Sequence, residues 1–263
     1  PKRILENKIL VPPLPEQQRI VSLLDEAFES IAGAKVNAER NLVNARELFA
    51  SYMEAVFTQQ GEGRTEKALG DICKFENGDR GKNYPNREEY VESGIPWINT
   101  GHIQPDGTLS ESEMNFITKE KYETLRGGKI QPGDLVYCLR GATLGKTALV
   151  DPFTIGAVAS SLVIIRPSNL LDSRFLYYFL TSPQGQGLIK LYSNGAAQPN
   201  LGANSVAKYT ISLPPLAKQR AIVARLDVLS AETKKLEGIY EQKIDALDEL
   251  KKSVLSKAFG GEV

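Results

Sequence analysis

The chain has 263 residues, of which 41% are hydrophobic, and its 32 basic side chains balance 32 acidic ones. This length suits one or two domains with a real core. No apolar run approaches the roughly 18 residues that cross a bilayer, so no membrane association is expected. Cys73 and Cys138 lack CxxC spacing, so neither a disulfide framework nor a metal site is predicted. We expect a cytoplasmic protein.

One long repeat dominates the sequence. Ile9-Leu10-Val11-Pro12-Pro13-Leu14 returns as Ile211-Ser212-Leu213-Pro214-Pro215-Leu216. The shift is constant (216 − 14 = 202), and the match continues without a gap to Phe57 and Phe259. Solenoid units recur every 20–50 residues or so. The wide spacing therefore favours a duplicated scaffold that carries a unique insert.

Each copy of the repeat predicts the end of a strand followed by a long helix. The Pro-Pro pair cannot continue a central strand. After it, apolar residues recur at steps of three and four, from Val21 to Val56 and from Ile222 to Val254. Such a stripe on a long polar helix needs a partner, and the other copy can supply it. An ordinary amphipathic helix on a globular core would explain one copy alone but not the pair. We predict long helices over residues 15–58 and 214–263.

Residues 59–213, between the helices, predict a mixed α/β domain. Short β-like runs alternate with turn signals such as Gln104-Pro105-Asp106-Gly107. The clearest strands are residues 133–139 and 159–165, and a helix is predicted after Asp172-Ser173.

Two features could suggest catalysis, but neither completes a catalytic site. His102 is the single histidine, and no serine or cysteine near it has the nucleophile-elbow pattern. The stretch Gly141-Ala142-Thr143-Leu144-Gly145-Lys146-Thr147 resembles a phosphate-binding loop but is one residue short of the motif. It also leads into an apolar run where a helix N-terminus should receive phosphate. We predict no catalytic residue, and a nucleotide-hydrolysing enzyme stays an alternative.

Residues suited to binding are more frequent than residues suited to reaction. Within residues 129–208, seven basic side chains face three acidic ones, so this half could meet phosphate. Polar, Gly-rich loops carry Asn, Gln and Arg, whose side chains can grip adenine or guanine with paired hydrogen bonds. Most such loops are ordinary turns, so no single loop decides the function.

Several motifs follow one another in a fixed order along the chain. They are Leu69-Gly70-Asp71-Ile72, Gly94-Ile95-Pro96-Trp97-Ile98-Asn99-Thr100, Pro132-Gly133-Asp134-Leu135-Val136, Arg140-Gly141-Ala142-Thr143-Leu144-Gly145-Lys146, Gln198-Pro199-Asn200, and Pro214-Pro215-Leu216 with Gln219. This order resembles the specificity subunit of type I restriction-modification systems over essentially the whole chain. The resemblance implies an α+β fold, in which one mixed α/β target-recognition domain accompanies two long helices that form an antiparallel coiled coil.

A complete subunit of that family has two recognition domains, so this chain would hold only the second. Residues 1–14 are then expected to carry the last strand of a preceding recognition domain. Because the chain begins at Pro1 rather than at a methionine, we expect that something precedes it. The chain would be either a fragment or a half-sized subunit that pairs with a second copy.

The resemblance implies a non-catalytic subunit that reads one half of a bipartite DNA target and scaffolds the adenine methyltransferase subunits. The expected partners are double-stranded DNA, the modification subunits, the restriction subunit, and either a second copy or a missing first recognition domain. No cofactor is expected on this chain, while S-adenosylmethionine and ATP belong to partner subunits. A coiled-coil adaptor without a nucleic-acid role is the other alternative.

The predicted DNA-binding residues lie in the polar loops. Arg140, Lys146 and Lys82 are expected to anchor phosphate or guanine, and Asn83, Tyr84, Gln198 and Asn200 to lie nearer base edges. The full set is Arg80, Lys82, Asn83, Tyr84, Asn99, Thr100, His102, Arg140, Thr143, Lys146, Asn194, Gln198 and Asn200.

Overall fold

The computed structural model describes residues 11–59, 61, 63–193 and 200–260. The chain divides into two compact units, one from residues 1–49 and 230–263 and the other from residues 50–229. The helices are α1 (Leu14–Thr58), α2 (Leu69–Ile72), α3 (Lys119–Thr124), α4 (Ser173–Thr181), α5 (Pro183–Tyr192), α6 (Ala203–Val206) and α7 (Leu216–Gly260). The strands are β1 (Thr65–Ala68), β2 (Cys73–Asn77), β3 (Tyr90–Val91), β4 (Ile95–Ile98), β5 (Asn115–Ile117), β6 (Leu135–Cys138), β7 (Thr147–Leu149), β8 (Ala157–Val158), β9 (Leu162–Pro167) and β10 (Thr210–Leu213).

The first unit is an antiparallel pair formed by α1 up to residue 49 and α7 from residue 230. Lys35 Nζ lies 2.7 Å from Asp248 Oδ1, and Arg46 Nε lies 3.0 Å from Glu237 Oε1. Residue numbers rise along α1 as those of their partners fall along α7, so the two helices run in opposite directions. Each helix has 45 residues, which at about 1.5 Å per residue gives a rod of about 65 Å. The predicted antiparallel pairing is confirmed.

The buried seam follows the predicted spacing in the middle of α1 but departs from it at Val21 and in α7. Ile31, Ala38 and Ala45 recur one heptad apart and are buried. In α7, however, the predicted seam residues Leu236 and Leu250 are 41% and 48% exposed. Glu237 and Asp248 face Arg46 and Lys35 instead, so the contact face of α7 lies beside the predicted stripe.

The described residues of the second unit form three sheets. One four-stranded sheet has the order β2-β9-β6-β7, and its neighbours are all antiparallel. The other has the order β3-β5-β4-β8, in which β4 and β8 run parallel. The two-stranded ladder pairs β1 with β10 in antiparallel register, so that Thr65 faces Leu213. These sheets and the long helices confirm the predicted α+β class.

The core of this unit lies between the two four-stranded sheets. Val136 and Ile164 from the first sheet pack with Ile98 and Val158 from the second, and all four side chains are fully buried. The strand predicted over residues 133–139 is confirmed as β6, and that predicted over residues 159–165 starts later. There the Leu162 N–H donates to the Ala159 oxygen at 2.9 Å, and the resulting turn delays β9.

Helix α4 packs on the ends of both long helices that belong to this unit. Phe57 of α1 lies between Phe175 and Phe179, with ring centroids 5.1 and 5.6 Å away. Gln219 of α7 donates from Nε2 to the Leu170 oxygen at 2.9 Å, and its Oε1 accepts from the Asp172 N–H at 2.9 Å. The helix predicted after Asp172 is confirmed. Asp172 caps it through its side chain.

Candidate nucleic-acid interface

A cleft in the second unit collects segments that are distant in the sequence. Its volume is about 840 Å³. Arg140 and Asn200 form an isolated antiparallel bridge at its wall, so the hairpin after β6 is joined to the segment that precedes α6. The lining residues are Asn77, Gly78, Asp79, Arg80, Arg126, Gly127, Leu139, Arg140, Tyr192, Asn200, Leu201, Gly202, Ala203 and Ser205.

Close backbone approach forms one wall of the cleft. A Cβ on Gly78 would lie 2.5 Å from the carbonyl oxygens of both Val158 and Ala159. Gly128, with φ +74°, packs directly against Gly78. Larger residues at these two positions would push the turns apart. The shape of this wall therefore depends on glycine at both positions.

Asp79 ties two of the lining loops together. Its Oδ2 accepts from the Arg126 N–H at 2.9 Å, and its Oδ1 accepts from the Gly81 N–H at 2.7 Å. These two backbone hydrogen bonds and the nearby Arg126 guanidinium hold the pKa of Asp79 below its usual value. The buried carboxylate is therefore ionised at neutral pH. It fixes the backbone from which the Arg126 side chain projects.

The cleft is positively charged. Arg80, Arg126 and Arg140 are all exposed, whereas Asp79 is the one carboxylate among the described lining residues. The Arg126 side chain is 74% exposed and its Nη2 lies 3.6 Å from Asp79 Oδ1. Arg80 donates from Nη2 to the Ser160 oxygen at 3.2 Å. Three guanidinium groups against one carboxylate attract an anionic ligand such as phosphate.

The loop that resembles a phosphate-binding loop is a β-hairpin connection. Residues 141–143 form a short 3-10 turn, and β7 then pairs antiparallel with β6. A strand thus follows where a phosphate-binding loop requires a helix N-terminus, and the nucleotide-hydrolysis hypothesis has no support. Thr143 Oγ1 lies 3.3 Å from Cys138 Sγ, inside the hairpin.

Lys146 does not line the cleft that contains Arg140. It lines a second, smaller depression of about 210 Å³ together with Gln104, Tyr177 and Gln186. The hairpin separates the two cations because Arg140 lies before its turn and Lys146 after it. The DNA contact predicted for Lys146 would therefore lie outside the cleft that Arg140 lines.

The loop that follows Arg80 is partly structural. Tyr84 packs edge-on against Trp97 with ring centroids 5.3 Å apart, and burial raises the pKa of its hydroxyl. Asn83 donates from Nδ2 to the Thr124 oxygen at 2.7 Å. Lys82 is exposed. Of the predicted residues here, Arg80 and Lys82 present exposed side chains, while Asn83 and Tyr84 hold the loop.

A sequence comparison identifies the family. The profile described as "Type I restriction modification DNA specificity domain" matches residues 62–245, which is more than half of the chain. The chain belongs to this family. The family described from the motif order is thereby confirmed.

Relatives of this specificity domain are subunits of restriction enzymes. The EcoKI specificity subunit of Escherichia coli (strain K12) is 29% identical over 175 residues, which cover 64% of this chain and 36% of the relative. The EcoBI specificity subunit of Escherichia coli is 24% identical over 288 residues, covering 99% of this chain and 60% of the relative. The chain thus spans less than two thirds of either relative.

Solved structures share the fold of this specificity domain. A chain from a study of complex assembly and conformational transition of the type I R-M system has a TM-score of 0.80 at 22% identity. The likeness covers 96% of this chain and 61% of that chain. The HsdS subunit from Thermoanaerobacter tengcongensis has a TM-score of 0.63 at 22% identity, covering 97% and 60%.

The turn around His102 has its own internal partners in the specificity domain. Asn99 Oδ1 accepts from the Gly101 N–H at 2.8 Å, and His102 Nδ1 accepts from the Asn99 N–H at 3.1 Å. His102 is only 4% exposed, and burial lowers its pKa. The turn thus shields most of the His102 side chain, and its DNA contact stays a prediction. Thr100 is half-buried in the same turn.

Arg126 is the main residue that the sequence analysis missed. The sequence contains three Arg-Gly pairs, Arg80-Gly81, Arg126-Gly127 and Arg140-Gly141, and all three arginines line the cleft. The recurring pair is the signal that could have found Arg126. Tyr192 and Ser205 also line the cleft and have no comparable signal. Asn194 and Gln198 lie outside the described residues.

Proposed function

We propose that this specificity domain reads one half of a bipartite DNA target and contacts the duplex through the arginine cleft, defined by Arg80, Arg126 and Arg140. The convergence of these three arginines from separate loops carries the proposal. Electrostatic attraction to phosphate supplies most of the affinity of DNA-binding proteins. A cleft with an excess of guanidinium groups suits that role.

The same residues are suited to base recognition. Arginine can donate two hydrogen bonds to guanine O6 and N7, and asparagine can pair with adenine N6 and N7. Asn77 and Asn200 line the cleft beside Arg80 and Arg140. We assign Arg80, Arg126, Arg140 and Asn200 to the DNA contact, with Lys82 at its edge.

The other predicted residues divide into three sets. Asn194 and Gln198 keep their predicted role at base edges, since they precede Asn200 in the same segment. Asn83, Tyr84, Asn99, Thr100, His102 and Thr143 serve the loops themselves, and Lys146 is left as a separate phosphate contact.

The proposed partners follow from the family. Modification subunits would transfer the methyl group to adenine with S-adenosylmethionine, and the restriction subunit would cleave DNA with ATP in the cytoplasm, so this chain needs no cofactor and catalyses no step. The antiparallel helices would hold two recognition domains at a fixed separation, and half-site spacing would copy it. No helix in the described stretches is long and apolar enough to cross a bilayer.

The recognition domain would occupy residues 59–213, between the conserved helices at 15–58 and 214–263.

A second recognition domain, on this polypeptide or from a second copy, would bind the start of α1. Gln17 donates to the Pro12 oxygen at 2.7 Å as its repeat equivalent Gln219 donates to the Pro214 oxygen at 2.8 Å. Yet Val21 is 55% exposed while its equivalent Val223 is 7% exposed. The start of α1 thus repeats a surface that α4 covers on α7.

The test uses this chain assembled with its modification subunit and a library of randomised DNA duplexes. The variant R80A/R126A/R140A should lose binding by roughly a hundredfold or more, because each phosphate or guanine contact contributes about 1–3 kcal/mol. A matched variant, K67A/K74A/K119A, removes three exposed lysines that do not line the cleft. It should keep the affinity and the enriched sequence.

Two outcomes would end the proposal. One is equal retention of DNA by the arginine variant and the unmodified chain when circular dichroism shows that both are folded. The other is an equal loss in both variants, which would indicate attraction by overall charge without a defined site.

A further inference from the structure

The two copies of the repeat carry opposite charges at the positions that join the helices. At the constant shift of the repeat, Lys35 corresponds to Glu237 and Arg46 corresponds to Asp248. In the structure Lys35 pairs with Asp248 at 2.7 Å, and Arg46 pairs with Glu237 at 3.0 Å. Each ion pair is therefore the repeat equivalent of the other with the two signs exchanged.

The pairs are specific side-chain contacts. Both carboxylate oxygens of Asp248 accept from Lys35 Nζ at 2.7 Å. This hydrogen bond lowers the pKa of Asp248 and raises the pKa of Lys35, so both groups are charged over the neutral range. Arg46 also donates from Nη2 to Glu241 Oε1 at 3.1 Å. The contacts thus fix which charges face each other across the seam.

We infer that this charge reversal makes α1 pair with α7 and opposes pairing of either helix with its own equivalent in a second copy. Two α1 helices in the same register would set Lys35 against Arg46 of the second copy. Two α7 helices would set Glu237 against Asp248 of the second copy. Charges that flank a helix seam select partners in this way, by attraction in the right pair and repulsion in the wrong one. This inference is independent of the proposed DNA recognition.

The pairing of α7 with itself is opposed most strongly. Glu241 corresponds to Glu39, so its sign is the same in both copies. Two α7 helices would therefore bring Glu237 and Glu241 together against Asp248. Two α1 helices would set Lys35 against Arg46 of the second copy, which is repulsive. They would also set Glu39 against Arg46, which is attractive. Replacing two α1–α7 pairs by one α1–α1 pair and one α7–α7 pair therefore turns most of the attractions into repulsions.

Apolar contacts do not supply the same discrimination. Lys251 Nζ lies 5.3 Å from the Phe28 ring centroid, and the repeat equivalents of these two residues are Phe49 and Ser230. Two α1 helices would therefore bring Phe28 towards Phe49 of the second copy, which is a favourable apolar pair. The charges at residues 35 and 46 are then the feature that opposes this pairing.

The decisive variant of the full chain is K35E/E237K. It gives each helix one positive and one negative charge at these positions, so that each attracts its own equivalent in a second copy. Within the α1–α7 pair, it places like charges at both former ion pairs. Native mass spectrometry should show a shift from the mass of one chain to twice that mass.

Asn41→Cys adds a direct readout. Since residues 35 and 46 would face each other across two α1 helices, residue 41 would lie close to its own equivalent. An interchain disulfide should form in the K35E/E237K background and not in the wild-type background.

The matched control reverses all five charges in these contacts, as K35E/R46E/E237K/E241K/D248K. Attraction between α1 and α7 is restored and repulsion within like pairs returns, so this variant should stay a single chain and, with Asn41→Cys added, should form no interchain disulfide. Unfolding of K35E/E237K while the control stays folded would also support the inference. A wild-type mass and thermal midpoint in K35E/E237K would overturn it, as would crosslinking in the wild-type background or equal unfolding of both variants.

Discussion

Tyr178 donates a 2.6 Å hydrogen bond from its hydroxyl to Asp227 Oδ1, which joins α4 to α7. The same oxygen accepts from Arg174 Nη2 at 2.6 Å. Burial raises the pKa of Tyr178, and the bond to the Asp227 carboxylate raises it further, so the phenol stays protonated as the donor. Asp227 belongs to the repeat, where its equivalent is Asp25. Asp227, the second copy of this repeated aspartate, therefore fastens α4 of the recognition domain to α7.

Removing this carboxylate should loosen that attachment. Asp227→Asn weakens two charge-assisted hydrogen bonds, and we expect the free energy of unfolding to fall by about 1–3 kcal/mol. Asp25→Asn is the matched control. Because Asp25 is exposed, its change should shift stability by no more than about 0.5 kcal/mol. Urea denaturation followed by circular dichroism measures both, and equal losses would contradict this role of Asp227.

His102 should make the stability of the recognition domain depend on pH. Burial lowers its pKa below the ordinary value of 6.5, so the unfolded chain binds the proton more readily than the folded chain. Stability is then complete above pH 6.5 and falls as the pH drops towards the folded pKa. Protonation of Nδ1 would also break the bond from the Asn99 N–H.

The variant His102→Asn tests this effect, since an asparagine oxygen can accept the same backbone hydrogen bond without titrating near neutral pH. Thermal midpoints measured between pH 5 and 7.5 should change less in the variant than in the wild type. If the thermal midpoint changes equally with pH in the variant and the wild type, the pH dependence comes from groups other than His102.

Two glycines should respond to alanine in opposite directions. Gly78→Ala places a Cβ 2.5 Å from two backbone oxygens and should cost about 1–3 kcal/mol of stability while widening the cleft wall. Gly33 lies inside α1 with nothing within 4 Å of a built Cβ, so Gly33→Ala should stabilise by about 0.5–1 kcal/mol. Differential scanning calorimetry reports both, and a shift of the same sign in both variants would contradict the contact geometry.

The helices could be predicted because their signals are periodic and repeated. The gapless match that ends at Phe57 and Phe259 indicated two equal helices, and the structure places both at 45 residues. The α7 seam could not be predicted in full. Leu236 fits an apolar stripe, but a stripe holds no information on which neighbour must meet Arg46 on the partner helix.

The candidate site could be predicted only in part, because exposure is a property of the fold. Tyr84 and His102 have side chains that suit DNA contact, yet both lie in packed turns. Lys146 follows Arg140 closely in the sequence, and the hairpin turns it away from the cleft. Arg126 was missed because its turn contains no Asn or Gln and because its backbone hydrogen bond to Asp79, 47 residues away, has no signal in the sequence.

The salt dependence of DNA binding should separate phosphate contacts from base contacts among the cleft arginines. An arginine that neutralises one phosphate should, when changed to alanine, reduce the slope of log affinity against log salt by about 1 and weaken all duplexes alike. An arginine that reads guanine should instead relax the preference at one base pair. Arg140→Lys sharpens the distinction, because lysine keeps the charge but lacks the two-pronged donor.

The measurement is fluorescence anisotropy of labelled duplexes at several salt concentrations, with R80A, R126A, R140A and R140K each assembled with the modification subunit. We expect R126A to act on the slope, because the Arg126 side chain is 74% exposed and can reach a phosphate outside the cleft wall. K119A, on the exposed start of α3, should change neither slope nor sequence preference. If all three alanine variants match K119A in both measurements, the cleft is not where this domain meets DNA.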